Sequence, residues 1–447
     1  MRVVVAITAL TLAFKLFWLW RLPGHGLVGA DGESYLGGVD ALDKEGFFSK
    51  SRNLHYWPAG YPILILPFKV FFGSSFIFVV ALAQSLLYSS AIITFIKELS
   101  KRRLNKTLIP LALLLNLSPT LSLNSLVIGY EVPTASLLLF SVSALLKYIR
   151  NKGFIYLVIA SLSLSIASFM QPRLVLISLG VLIPFCFLSF NLRKAIMIFA
   201  IAMSIVLVSP LALALRNLAA NDFFAVSTNL GVTMNIGAGD NASGGYSNDA
   251  RGVECSTSEE ANPAKSDTVL VGCVVKWYAE NPLKAITLFV NKFVFHWSPW
   301  FGPLSNGTSA RNPWLKFNPL VDISSTTPTG YQLIFGEIGK AISWLWLLFS
   351  IGLLFRGFIM LRRRGGASTV LAWSLMLPVI LNSISSMGTI GDNRFRIPTL
   401  TLSVILQGIG LLSLYQKNEY KVGIDGPPVR LFVPSWKTRH STDNLHP

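Results

Sequence analysis

Apolar residues run along this chain in blocks near twenty residues long, separated by short polar or basic joints, as far as about position 416. Blocks of that length match the roughly 20 residues an α-helix needs to cross about 30 Å of hydrocarbon. The alternating segments of about ten residues that build a membrane barrel are absent from the sequence. The pattern predicts spans at 3–20, 75–96, 107–121, 132–149, 154–171, 173–191, 195–215, 335–356, 368–386 and 397–415. The expected fold is therefore an all-α membrane protein of about ten transmembrane helices, with every backbone polar group paired inside a helix.

Two further apolar stretches are not read as spans. Gly60–Phe72, "GYPILILPFKVFF", is too short to cross, is interrupted by Pro62 and Pro67, and carries Lys69. It reads as an interfacial helix lying against the membrane. "PLKAITLFVNKFVFHW" has apolar residues at helical spacing around Lys284, Lys292 and His296, which predicts a second interfacial helix.

Composition fits this picture, with 52% hydrophobic and 13% charged residues among 447, too little polar surface to clothe a soluble fold of that size. A formal charge of +17 would point to nucleic acid in a soluble protein, but here the basic residues sit in short joints between apolar blocks. The runs Lys97 to Lys106, Lys147 to Lys152, Arg193 with Lys194, and Arg356 to Arg364 mark cytoplasmic loops by the positive-inside rule. No nucleic-acid partner is expected. Taking Gly60–Phe72 as a span would place these runs outside. The first block carries Lys15, lacks a small-x-small cleavage site and reads as a retained anchor.

This topology divides the chain into an N-terminal transmembrane module, 1–215, with a first outside loop at 21–74, then an extracytoplasmic loop region at 216–334, C-terminal transmembrane helices at 335–416 and a cytoplasmic tail at 417–447. The 216–334 region, rich in Gly, Asn, Ser and Asp, is the candidate for folded structure outside the bilayer. It holds Cys255 and Cys273, which can pair as a disulfide in an oxidising compartment or remain two free thiols. Cys186 lies within an apolar block. N-x-[ST] sequons occur at Asn241 and Asn306.

Candidate chemistry gathers on the predicted outside. "ADGESY" places Asp31, Glu33 and Tyr35 just beyond the first span. A carboxylate there can serve as general base toward an acceptor hydroxyl, or can be an ordinary solvated loop residue. Asp31 and Tyr35, four apart, share one face of any helix formed there. Asp40, Asp43, Lys44 and Glu45 read as a solvated helix face. In "HYWPAGYP", Tyr56 and Trp57 fit an aromatic belt, and His55 can meet a phosphate or sugar hydroxyl.

Glu131 in "GYEVP" opens a span, where a carboxylate also complements the helix dipole. Arg173 sits in the tight turn "MQPRL", where snorkelling is the plain alternative. Arg394 and Arg396 in "GDNRFRIP" are cations at an outside helix start, disfavoured by both the dipole and the topological charge bias, and so call for an anionic partner. Lys292 offers a further cation near the interface. The sequence has no zinc-ligand spacing, P-loop, dinucleotide fingerprint or serine elbow.

Several of these motifs, in order, resemble the polytopic C-type (GT-C) glycosyltransferases related to protein O-mannosyltransferases and the lipid A aminoarabinose transferase, in their bacterial branch. "ADGESYLGGVDAL" resembles the family's first-loop aspartate with a tyrosine four residues on, and "HYWPAGYPILILPF" the Pro-rich segment after it. "GYEVPTASLLLF" is similar to the family's Glu-Pro helix start, with Val132 intervening before Pro133. "PLALALRNLAANDFFAVSTNLGVTMNIGAGDNASGGY" resembles an Arg-Asn pair followed by an STN-G-G-x-N pattern, with Leu230 in place of the first glycine. "GDNRFRIP" resembles the closing R-x-R-x-P turn.

The resemblance implies a sugar donor linked to polyprenyl phosphate, transfer with inversion to an extracytoplasmic acceptor of the cell envelope (glycan, lipid or protein), and the Asp31 position as base. Family members often carry a second acidic residue directly after that aspartate. Here Gly32 stands there and Glu33 follows, so the role of Glu33 and any need for a divalent cation stay open. On this reading Arg173, Lys292, Arg394 and Arg396 are donor-phosphate ligands, and Tyr35, His55, Glu131 and Asn229 contact substrate. A transporter or lipid flippase, and a non-catalytic glycan-assembly subunit, are the rival readings.

Overall fold

The computed structural model describes residues 1–21, 27–28, 30–102, 104–245, 252–255, 262–298, 337–415 and Asp425. The Asn306 sequon and the tail 417–447, apart from Asp425, lie outside the described residues. The N-terminal block is one helix, α1 (Arg2–Arg21). Next come strand β1 (Leu27–Val28) and helix α2 (Ala30–Glu45), a short 3-10 turn (Arg52–Leu54) and α3 (Gly60–Phe72). Gly73, with φ +53, breaks α3 from α4 (Phe76–Ser100). Then follow α5 (Leu108–Leu117), α6 (Pro119–Asn124), β2 (Val127–Ile128), α7 (Glu131–Asn151), α8 (Phe154–Met170), α9 (Leu174–Ser189) and α10 (Leu192–Asn221).

The predicted block 107–121 is thus two helices, because Pro119 disfavours helical backbone at Ser118, which is extended with ψ 113°. Beyond α10 lie α11 (Leu230–Ile236), α12 (Pro263–Glu280), α13 (Pro282–Trp297), α14 (Glu337–Arg364), α15 (Gly366–Gly388) and α16 (Ile397–Tyr415). A 3-10 turn, Asn393–Arg396, leads directly into α16. Helix α10 runs past the expected boundary at 215, which puts Arg216 and Asn217 on its last turns.

Seven helical runs are long and apolar enough to cross a membrane, and three shorter apolar helices (Asn105–Leu117, Phe154–Met170, Leu174–Ser189) stand among them. The protein is an all-α, multi-pass membrane protein. Helices α7 and α16 are the central staves, each with 83% of its apolar window buried, whereas α10 at 22% lies on the rim. Helices α14 and α16 cross closely through Gly357 and Gly410. A Cβ at either glycine would strike a backbone carbonyl of the other helix, Leu406 or Leu353.

The basic residues converge on one end of the bundle. Glu98 on α4 binds Arg150 on α7 (2.6 Å) and Lys101 (3.3 Å). Arg364 at the end of α14 donates to Arg102 O and binds Asp425, both at 2.8 Å. The opposite end, a helix length or about 30 Å away, collects the starts of α2, α7, α9 and the 393–396 turn. There β1 and β2 pair in parallel, Leu27 with Val127 and Val28 with Ile128, tying the segment before α2 to the one before α7.

Candidate active site

At that end a cavity of about 560 Å³ opens, within the range of small-ligand sites. Helix α2 delivers its first wall. Asp31 and Tyr35, one turn apart, both face the cavity. Tyr35 is buried against Tyr61 (5.2 Å), Trp57 and Tyr130 (6.2 Å each), all edge-on, and burial pushes its phenol pKa well up. Behind this aromatic wall, the Tyr61 hydroxyl donates to Gln84 and accepts from Gly129 N, both at 2.9 Å, which fixes the approach to α7.

The opposing wall is the 393–396 turn. The Asp392 carboxylate accepts from Arg394 N at 2.8 Å and so caps the turn. The Arg394 guanidinium forms an ion pair with Asp31, and its Nε lies 3.6 Å from Glu131 Oε1. Arg394 and Glu131 are each 6% exposed, so the three charges form one desolvated network linking α2, α7 and the start of α16.

Arg173, at the N-cap of α9, also lines the cavity. It donates to Phe395 O at 3.3 Å, and its guanidinium lies 4.2 Å from the Phe395 ring, which also lies 5.5 Å from the Arg394 guanidinium. Arg173 has no ion pair with a carboxylate among the described residues, and its buried Nε has no hydrogen-bond partner. The network thus leaves Arg394 neutralised by two carboxylates and Arg173 as a cation aimed at the same space.

Asn229 completes the group the cavity brings together: Asp31, Tyr35, Arg173, Asn229 and Arg394, with Glu131 behind. Four other expected site residues lie elsewhere. Glu33 is exposed and off the cavity wall, because two residues on a helix rotate the side chain about 200° away from Asp31. Arg396 points away from Arg394, as residues two apart on a 3-10 turn do. It is fully buried and donates to Trp297 O at 2.7 Å.

Lys292 is fully buried on α13, donates to Tyr278 Oη at 2.7 Å, and has its pKa pushed down to about 8 by that burial. His55 contacts Thr228 Oγ1 (3.3 Å) and the edge of Phe223, and faces a second, smaller cleft. Burial, then the charges of Arg216 and Arg52, lower its pKa.

Residues not singled out from sequence also matter. Asp392 and Tyr130 line the cavity, and Gln171 donates to Tyr130 Oη at 3.2 Å. Asp392 had a readable signal, an Asx cap directly before a turn. Arg216 and Asn217, the Arg-Asn pair quoted from the sequence as a motif without a role, form a clamp. Arg216, 2% exposed, donates to the carbonyls of Phe47 (3.1 Å), Leu54 (3.2 Å) and Ser49, and to Asn217 Oδ1 (2.9 Å). Asn217 donates to Ala225 O at 2.8 Å. One pair of neighbours thereby holds both the loop before Tyr56 and Trp57 and the segment leading to Asn229.

The charge arrangement does not fit a metal built from protein ligands. No group of three His, Cys, Asp or Glu side chains that could hold an ion occurs among the described residues. The guanidinium of Arg394 takes the place between Asp31 and Glu131 that a cation would need. Cys255 and Cys273 are joined by a disulfide that ties the 252–255 segment to α12.

No family model matches the chain, and no curated protein matches it significantly. Among solved structures it is similar to the apo form of the Archaeoglobus fulgidus oligosaccharyltransferase, with TM-score 0.51 and 13% identity over 93% of this chain and 50% of that one. The form of that enzyme in complex with Zn and sulfate matches with TM-score 0.50 and 16% identity, over 94% and 50%. The chain spans about half the length of these neighbours. At such identity the likeness is one of fold: the helices of this protein follow the arrangement seen in that oligosaccharyltransferase.

Proposed function

We propose that the protein moves a sugar from a polyprenyl-phosphate donor to an extracytoplasmic acceptor, with inversion and with Asp31 as base, as a bacterial-branch member of the C-type glycosyltransferases. One observation carries this reading. A carboxylate on α2 and the carboxylate-free cation Arg173 face each other across one cavity at the end of the bundle remote from the basic loops. Lipid phosphate is a good leaving group that needs charge stabilisation more than proton donation, and a guanidinium provides it in a planar fork. Asp31 then takes the acceptor hydroxyl proton as that oxygen attacks the anomeric carbon in line, while the phosphate departs against Arg173. Arg394 holds Asp31 in place and Glu131 balances Arg394. No step is routed through a metal.

The transporter alternative expects ionisable residues in the spans. Lys15 on α1 is one, but it is held by Ser125 Oγ (3.2 Å) and the Tyr88 ring and is not on the cavity wall. The test is Asp31→Asn in the purified full chain, supplied with lipid-phosphate sugar donors and envelope acceptors. Turnover is expected to fall about 10²-fold to 10⁴-fold with donor binding kept. Wild-type turnover in that variant removes Asp31 from the chemistry, and a wild-type chain that binds no polyprenyl phosphate removes the reading as a whole.

A further inference from the structure

A second cleft of about 390 Å³ adjoins the cavity, and the two share Tyr56 and Asp267 on their walls. It lies between the first outer loop, α11 and α12, and is lined by Arg52, His55, Thr228, Ser266 and the two shared residues, with apolar contributions from Val232, Pro263 and Leu270. The mechanism above uses none of its polar side chains. We infer that this cleft is an acceptor subsite for a saccharide, holding the sugar units of a glycan that continue outward from the hydroxyl placed at Asp31.

The lining chemistry selects the ligand. Arg52, His55, Thr228, Ser266 and Asp267 mix donors and acceptors around one space, as hydroxyl-bearing rings require. A polyanion calls for clustered cations, which the cleft lacks. Its exposed wall is largely apolar with polar groups set around it, a mix that suits the apolar face and hydroxyl edge of a sugar ring better than a bare lipid chain.

Strand addition of an extended peptide needs a sheet edge, and the wall here is built from helices and a 3-10 turn. Tyr56 adds a flat apolar face between the two spaces, with Arg52 stacked on it at 4.7 Å and Trp57 edge-on at 5.2 Å.

The wall is also rigidly built. Thr228 N donates to His55 O at 2.9 Å, and Asp267 Oδ1 accepts from Gly231 N at 2.6 Å, so the loop, α11 and α12 are mutually tied. The Arg216 and Asn217 clamp and the Cys255–Cys273 bond brace two of these three elements from behind. Such bracing suits a surface that fixes orientation, since a preformed site loses less entropy on binding.

This inference rests on the transferase reading, and the experiment separates the two. The full chain in lipid nanodiscs is applied to an array of microbial glycans, to Ser/Thr-rich peptides and to polyprenyl phosphate. Variants are Arg52→Ala, at an exposed residue, and Ser266→Trp, which fills the cleft from α12. Arg173→Gln serves as a control in the first cavity.

Saturable binding to a subset of glycans is expected. It should be weakened about tenfold or more by Arg52→Ala and by Ser266→Trp, as the loss of one or two polar contacts implies, and be unchanged in Arg173→Gln. Polyprenyl phosphate binding should show the reverse pattern. Absence of any bound glycan, glycan binding indifferent to both cleft variants, or peptide binding that depends on them overturns the inference. If donor binding survives in those cases, the transferase reading stands without it. If the wild type binds no polyprenyl phosphate, that reading falls first.

Discussion

Arg394 and Arg396 show at the scale of single residues how little a motif says about direction. Both were expected to meet phosphate, yet Arg394 is held by Asp31 and Glu131 while Arg396 binds the Trp297 carbonyl. Three outcomes follow for Gln substitutions. Arg173→Gln should raise the donor KM by a factor corresponding to about 1.5–3 kcal/mol, the worth of a charge-assisted contact. Arg394→Gln should lower kcat and stability together, because Asp31 and Glu131 lose their shared counter-charge, and breaking a buried pair costs about 3–5 kcal/mol. Arg396→Gln should lower stability and leave the donor KM unchanged. Donor titrations beside thermal melts for the three variants separate these patterns. A donor KM that responds to Arg396→Gln and not to Arg173→Gln would place the phosphate elsewhere.

At the scale of elements, the site depends on segments that carry no chemistry. The clamp from the end of α10 fixes the loop 47–54 and the segment 225–226 by backbone carbonyls, which only a multi-donor fork can satisfy at once. Arg216→Lys keeps the charge and loses the fork. It is expected to lower stability by about 2–3 kcal/mol and to speed amide hydrogen exchange in the loop before Tyr56 and in the segment before Asn229, with turnover falling more than donor affinity. Unchanged exchange in both segments would show that the clamp does not hold the site together. The Arg-Asn pair was visible in the sequence, but the carbonyl partners of Arg216 lie more than 160 positions away, and carbonyls have no sequence signature.

The whole molecule is polarised. Basic loop residues crowd one end of the bundle, and the cavity, the adjoining cleft and the disulfide occupy the other. A disulfide suits an oxidising compartment, and the positive-inside rule favours the basic end in the cytoplasm, so we propose that the cavity opens on the outer face. In intact cells, a membrane-impermeant maleimide is expected to modify Cys255 and Cys273 only after reductant. Labelling without reductant denies the bond, and labelling only after permeabilisation denies the topology. Substituting both cysteines should cost about 3 kcal/mol, given closure of a loop with sequence separation 18.

Much of the architecture is legible in the sequence because membrane helices obey local rules. Length, apolarity and basic flanks are written within some twenty consecutive residues, and the helices α1, α4, α7, α10 and α16 lie where the apolar blocks predict them. The shared face of Asp31 and Tyr35 follows from helical spacing alone, as does the exclusion of Glu33 once the segment is helical. What the tertiary structure alone decided is which charges meet. Asp31 and Arg394 stand near opposite ends of the chain, and their pairing depends on α2 and the 393–396 turn being packed against the start of α7. The same packing sent Arg396 and Lys292 into the protein interior and left Arg173 facing the cavity. Side-chain direction at a helix end is set by neighbours remote in sequence, and no local pattern encodes them.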